Sequence, residues 1–253
     1  MGEKIKFPKF SYPGGKGRLN KWIVDFFPDK GNTYFEPFVG RGNIYWRAAL
    51  SCSFNKWVLN DIQTKKFFEA ILNYNNEPIP ERSQEEYRRQ WELYKQNDKT
   101  AVLLEPYITF SGGGYPAGLG GVKKGIKSSS YQKHLINAQE IMRKTNPVLT
   151  DKLYWQENEE TDLSWLGQDD FVYLDPPYIN AKVLAYKNNT LSHRKMAEDL
   201  KNAKFKWLLS EYDNQLYRDI IGPPFATKDV QLSVGFETTL LSQRRIECVW
   251  KNY

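Results

Sequence analysis

The chain has 253 residues, with 36 basic and 30 acidic side chains, a net charge of +6 and a pI near 9.0. That length suits one sizeable core with an insertion or two small domains, and the basic balance is compatible with a polyanionic partner. Two cysteines and two histidines argue against a disulfide framework and a structural metal, and the sequence has neither a signal core nor a long apolar span, so a soluble cytoplasmic protein is expected.

In chain order, Phe10-Ser11-Tyr12-Pro13-Gly14-Gly15-Lys16-Gly17-Arg18 leads into Leu19, Ile23 and Phe26 at helical spacing. Lys16 and the glycines then stand at a helix start, where an anion such as a carboxylate is held. Read alone, the segment is better taken as a flexible basic terminus. Tyr34 to Asn43 reads as strand and glycine turn, with Glu36, Phe38, Gly40 and Gly42 before a helix over Ile44 to Leu50. Glycines there admit close approach of backbone to a ligand. Trp57-Val58-Leu59-Asn60-Asp61 reads as the next strand, ending in an acid 21 residues after Gly40, about the spacing at which a carboxylate meets ribose hydroxyls. An adenosine-containing cofactor follows. The third glycine of the dinucleotide fingerprint is replaced by Tyr45, which argues against a nicotinamide enzyme.

Thr64 is the expected cap of a helix with Phe67, Phe68, Ile71 and Leu72 inward, and Ser83 and Glu86 have capping-box spacing before Tyr87, Trp91 and Tyr94. From Phe110 the character changes to a glycine-rich run, Ser111 to Gly121. Lys123, Lys124, Lys127 and Lys133 follow with no acid among them, whereas Glu157, Glu159, Glu160 and Asp162 cluster further on. One face is thereby suited to phosphate. The lysines would position DNA without reading it, and Tyr115, Ser128, Ser129, Ser130 and Gln132 are candidate base or backbone readers.

Phe171-Val172-Tyr173-Leu174 reads as a buried strand stopped by Asp175-Pro176-Pro177-Tyr178, so Asp175 and Tyr178 fall just past its carboxyl end. In open α/β sheets ligands bind there. A ring-attached amine is a poor nucleophile because its lone pair is delocalised. Two acceptors, the Asp175 carboxylate and the Pro176 carbonyl, gripping its hydrogens would restore electron density to nitrogen. Tyr178 offers a stacking face. Beyond it, Tyr186 and Lys187 are placed either over a flipped base or in solvent, Ser192 caps a helix with Met196, Leu200 and Ala203 inward, and Phe205 to Ser210 and Ile246 to Trp250 read as strands, the second joined through Gly235 and Phe236.

Taken together these segments resemble the Dam-type adenine-specific DNA N6-methyltransferases in content and order: Gly14-Gly15-Lys16, Glu36-Pro37-Phe38-Val39-Gly40-Arg41-Gly42, Asn60-Asp61, then Asp175-Pro176-Pro177-Tyr178. The likeness covers nearly the whole chain. It implies a Rossmann-like seven-stranded α/β sheet with an inserted, mainly helical target-recognition domain. S-adenosylmethionine is the implied cofactor, and the implied acceptor is a flipped adenine N6 in double-stranded DNA at a specific short sequence. By position it puts Tyr12, Lys16, Glu36, Phe38, Gly40 and Asp61 at the cofactor, with Asp175, Pro176 and Tyr178 at the base. The catalytic domain is expected over 1–64 and 162–253, and the recognition domain over 65–161. Tyr115, Lys123, Lys124, Lys127, Ser129 and Gln132 are its expected DNA contacts. The likeness weakens at Gly114-Tyr115-Pro116-Ala117-Gly118-Leu119, which departs from the Gly-Tyr-Asn-Gly-Leu pattern of relatives reading GATC, so that recognition site is not carried over.

Neither cysteine follows a proline, which disfavours carbon-5 methylation of cytosine; both read as small core hydrophobes. Cytosine-N4 methylation is the nearest rival, and a catalytically inactive nucleic-acid-binding regulator is a rival of another class. No membrane association and no obligate protein partner are expected.

Overall fold

The computed structural model describes residues 5–12, 15–109, 127–179, 190–231 and 244–253. Tyr115, Lys123, Lys124, Tyr186, Lys187, Gly235 and Phe236 lie outside them, as does Gly14. Among the described residues the chain forms α1 (Asn20–Val24), β1 (Lys30–Glu36), α2 (Tyr45–Ser51), β2 (Ser53–Asn60) and α3 (Lys65–Leu72). Next come α4 (Gln84–Lys95), α5 (Lys99–Ile108), α6 (Ser128–Thr145), β3 (Val148–Thr150) and β4 (Phe171–Leu174). The last five are α7 (His193–Lys201), β5 (Lys206–Tyr212), α8 (Gln215–Ile221), β6 (Ala226–Gln231) and β7 (Arg244–Lys251).

The strands make a seven-stranded sheet in the order β3-β2-β1-β4-β5-β7-β6. β4 runs parallel to β1 and β5, β3 runs parallel to β2, and β7 is antiparallel to both β5 and β6. This is the doubly wound 3-2-1-4-5 order with one reversed strand inserted before the edge, and it meets the expectation of a seven-stranded Rossmann-like sheet. The carboxyl ends of such strands are where ligands are received.

The chain divides into two compact units, one of residues 1–30 and 39–152, the other of 31–38 and 153–253. In the first, Phe67, Phe68 and Ile71 of α3 are buried as their spacing predicts, and Phe10 packs edge-on against Phe67 at 5.0 Å. α6 is held to α3 by Gln139, whose buried amide donates to the carbonyls of Ile71, Leu72 and Tyr74 at 3.0, 3.1 and 2.7 Å. Residues 65–161 contain helices α3 to α6 and also β3, a strand of the sheet.

In the second unit all four residues of β4 are buried. Its start is fixed by Asp170, whose Oδ1 accepts from Thr33 N–H at 2.8 Å and Asn32 Nδ2 at 3.0 Å, while Oδ2 accepts from Gly167 N–H at 2.7 Å. Burial pushes this carboxyl up, but the hydrogen bonds from Gly167, Thr33 and Asn32 prevail and hold it below the usual carboxylate value.

Candidate active site

In the first unit the site begins where β2 stops. Asp61 Oδ2 accepts from Gly40 N–H at 3.0 Å, and Oδ1 accepts from the N–H groups of Gln63 at 2.8 Å and Thr64 at 2.9 Å. A carboxylate has about four lone-pair sites, so most are engaged in shaping the loop. Burial raises the Asp61 carboxyl above its ordinary value against the pull of these bonds. Thr64 does precede α3, but its side chain makes no cap; Oγ1 donates to the Gly40 carbonyl instead, and Asp61 serves the helix start.

Gly40 and Gly42 have φ of +52° and +76°, the left-handed region. A Cβ on Gly40 would come 3.0 Å from the Tyr12 ring, and one on Gly42 would come 2.8 Å from Trp46 Nε1. Tyr12 therefore lies directly on the glycine turn, with its hydroxyl 3.4 Å from Gln63 Oε1. Its carbonyl accepts from Gly15 N–H at 3.0 Å, and Gly15 leads to the buried Lys16 at the entry to α1. Arg41, between the two glycines, donates to the Ser11 carbonyl at 3.2 Å and to Glu105 of α5 in a buried ion pair. Tyr12, Gly40 and Asp61 thus share one cluster, with Lys16 on the adjoining segment.

In the second unit, parallel pairing sets Tyr34 of β1 opposite Phe171 of β4, so Glu36 and Phe38 leave β1 at the end where Asp175 leaves β4. Glu36 is buried and accepts from the Tyr34 hydroxyl at 2.6 Å; Phe38 packs 5.9 Å from the Trp155 ring. On the other side Leu174 lies opposite Leu209 of β5, which brings Ser210 to Asp175. Ser210 Oγ donates to Asp175 Oδ1 at 3.3 Å and lies 2.8 Å from the Tyr173 hydroxyl. A serine hydroxyl has one hydrogen, so giving it to Asp175 makes Tyr173 the donor to Ser210.

Pro176 is buried, whereas Asp175 and Tyr178 keep part of their surface exposed. The Tyr178 hydroxyl lies 2.5 Å from Glu247 Oε1 on β7 and 3.4 Å from Ser210 Oγ, and donates to the nearer carboxylate. The next residue, Ile179, donates its N–H to Glu211 Oε2 at 3.0 Å, while the Tyr178 ring meets that of Tyr212 edge-on at 4.6 Å. Burial, then the Asp175 charge, push the Tyr173 and Tyr178 phenols well above their ordinary value, so both stay neutral donors. His193, the first residue of α7, is bonded to the Pro177 backbone and has Nδ1 2.7 Å from the Tyr217 hydroxyl; burial lowers its pKa to about 4.

Sequence reasoning missed Ser210, Glu211, Glu247 and His193. The available signal was polar residues inside otherwise apolar strands, Leu-Leu-Ser-Glu-Tyr in β5 and Glu-Cys-Val-Trp in β7. Of the expected DNA contacts, Lys127 and Ser129 are exposed at the start of α6. Gln132 uses its amide on the carbonyls of Asn76 and Glu77 at 3.1 and 3.4 Å.

A doubly wound sheet with a glycine turn, an acid closing β2 and Asp-Pro-Pro-Tyr closing β4 defines an α/β protein of the nucleotide-cofactor class. The chain belongs to the D12 class N6 adenine-specific DNA methyltransferases, whose family model matches residues 12–104 and 122–231. S-adenosylmethionine is accordingly its cofactor, and a left-handed glycine turn beside a strand-end carboxylate fits an adenosine-containing group. The chain is similar to the modification methylase StsI of Streptococcus sanguinis, 26% identical over 201 residues. It is likewise similar to the type II methyltransferase M.FokI of Planomicrobium okeanokoites, 27% identical over 198 residues. In each case the match covers 69% of this chain and 29% of the relative, so the chain spans under a third of their length. Among solved structures, an rRNA methyltransferase of Streptomyces viridochromogenes aligns over 95% of this chain and 85% of its own with a TM-score of 0.38 at 12% identity. At that level the likeness adds nothing to the family assignment.

Proposed function

We propose that this chain transfers a methyl group to the N6 amine of an adenine turned out of double-stranded DNA at a specific short sequence. The observation that carries the reading is the arrangement after β4: a carboxylate held by Ser210, a buried proline, and a tyrosine fixed at its hydroxyl. S-adenosylmethionine supplies the electrophilic methyl group. Asp175 and the Pro176 carbonyl accept the hydrogens of the amine and so concentrate electron density on its nitrogen. Little reorganisation is needed, because Ser210 already orients Asp175 and the prolines fix the backbone. The Tyr178 ring stacks on the base; such stacking contributes about 1–3 kcal/mol, against an unstacking cost of a few kcal/mol.

In this reading Tyr12, Lys16, Gly40 and Asp61, with Glu36 and Phe38, line the cofactor site, Asp61 holding the glycine turn as well as facing the ligand. Residues 65–161 supply the recognition surface. Lys123, Lys124 and Lys127 meet phosphates, Tyr115 and Ser129 lie against DNA, and Gln132 supports α6. The family description, N6 adenine-specific, favours adenine over the cytosine-N4 rival, and the intact Asp175 and Tyr178 favour an active enzyme over a regulator.

The test is to incubate the protein with labelled cofactor and mixed-sequence DNA, digest to nucleosides and locate the label. Label on adenine N6, abolished by Asp175→Ala while cofactor binding persists, is the expected result. Label on cytosine N4, or undiminished labelling by the variant, would overturn the assignment.

A further inference from the structure

Ser210, Glu211 and Glu247 are 0%, 0% and 2% exposed, on strands whose neighbouring buried positions are Leu208, Leu209, Cys248, Val249 and Trp250. A carboxylate is the least favourable side chain to bury at such places unless its oxygens meet specific donors. Two of the donors they meet come from Tyr178 of Asp-Pro-Pro-Tyr and from the residue after it. Glu247 Oε1 takes the Tyr178 hydroxyl at 2.5 Å, Glu211 Oε2 takes the next backbone N–H at 3.0 Å, and Glu211 Oε1 takes the N–H of Tyr212 at 2.7 Å. Tyr212 in turn carries the ring against which Tyr178 stands edge-on.

A phenylalanine at position 178 would stack on a base as well as a tyrosine does, so stacking alone gives the hydroxyl no work. Fixing a ring at its far end as well as at Cα does have a use: it removes the torsional freedom the ring would otherwise lose on meeting the base. Resting on the adenine reading above, we infer that Glu247, assisted by Glu211, is a positioning residue that clamps Tyr178 in its base-stacking orientation before DNA arrives. It acts through the phenol, whose hydrogen it already holds, and touches neither base nor cofactor.

The full-length chain is tested as wild type, Tyr178→Phe, Glu247→Gln and the double variant, with kcat, KM for DNA, KM for S-adenosylmethionine and melting temperature measured for each. Each single variant should lower kcat about tenfold, the scale of one missing charge-assisted hydrogen bond. KM for the cofactor should stay within about twofold, and the double variant should be no slower than the slower single, because both changes remove the same charge-assisted hydrogen bond, one by deleting its donor and the other by neutralising its acceptor. Wild-type kcat in Tyr178→Phe, or losses that multiply in the double variant, would overturn the clamp. Should Glu247→Gln fail to fold, Tyr178→Phe, which removes one oxygen, decides alone. A wild type that leaves adenine unlabelled removes the functional reading and the clamp with it, whereas an active wild type with unaffected variants removes only the clamp.

Discussion

The Asp61 carboxylate has a conformational job. Three backbone N–H groups converge on it, one of them from Gly40 in a left-handed conformation. Asp61→Asn keeps one acceptor oxygen and turns an amide donor on a backbone donor, so it should destabilise the protein by about 1–3 kcal/mol and weaken cofactor binding. Urea unfolding followed by tryptophan fluorescence, with cofactor titration, checks both; an unchanged midpoint would show the loop holding itself. The spacing of Gly40 and Asp61 was readable in sequence because a strand, a turn and a helix of ordinary length separate them. Ser210 and Glu247 were not, because each reaches the site through strand register, Leu174 opposite Leu209 and Tyr212 opposite Glu247, which no local pattern encodes. Of the two cysteines read as small core hydrophobes, Cys248 is buried and Cys52 only half-buried; burial, largest of the causes, raises Cys52 to about 11 and Cys248 to about 12.

At the scale of elements, β1 and β4 are locked at their amino ends by Asp170, and this lock has a definite pH dependence. Its carboxyl pKa is held below the ordinary value in the folded chain, so the stabilisation is complete above the unfolded value of 3.8 and is lost as pH falls through the depressed folded value. Asp170→Asn should therefore lower the melting temperature at pH 7, and the gap to wild type should narrow as pH drops below 3.8. A gap independent of pH would mean that packing, not charge, holds the strands. β4 itself was legible, since four consecutive buried residues before two prolines admit little else. β3, β6, α5 and α8 went unread. β3 has only three residues, none buried; β6 reads Ala-Thr-Lys-Asp-Val-Gln; α5 carries Pro106 inside it; and α8 is seven residues long. For the two strands, pairing in the sheet overrides a weak local signal.

For the whole molecule, a net charge of +6 predicts salt-sensitive attraction to a polyanion, and the sequence concentrates it. Replacing Lys123, Lys124 and Lys127 together by alanine should weaken DNA binding and flatten the dependence of log affinity on log salt by about 0.9 for each phosphate left without its lysine, with cofactor affinity unchanged. An unaltered slope would return those lysines to solvent. The sheet class was readable from the order of motifs, because strand-ending motifs in an open sheet mark strand ends; the recognition surface was not, because reading DNA depends on loop shape. Between these two levels stands the Arg41–Glu105 ion pair, which ties the glycine turn to α5 inside one unit, with side chains only 6% and 12% exposed. Removing one partner from a buried pair typically costs about 3–5 kcal/mol. Anyone exchanging α5 for the corresponding helix of a relative must therefore bring an acid to the place of Glu105, or the glycine turn loses the partner that holds it from the neighbouring helix.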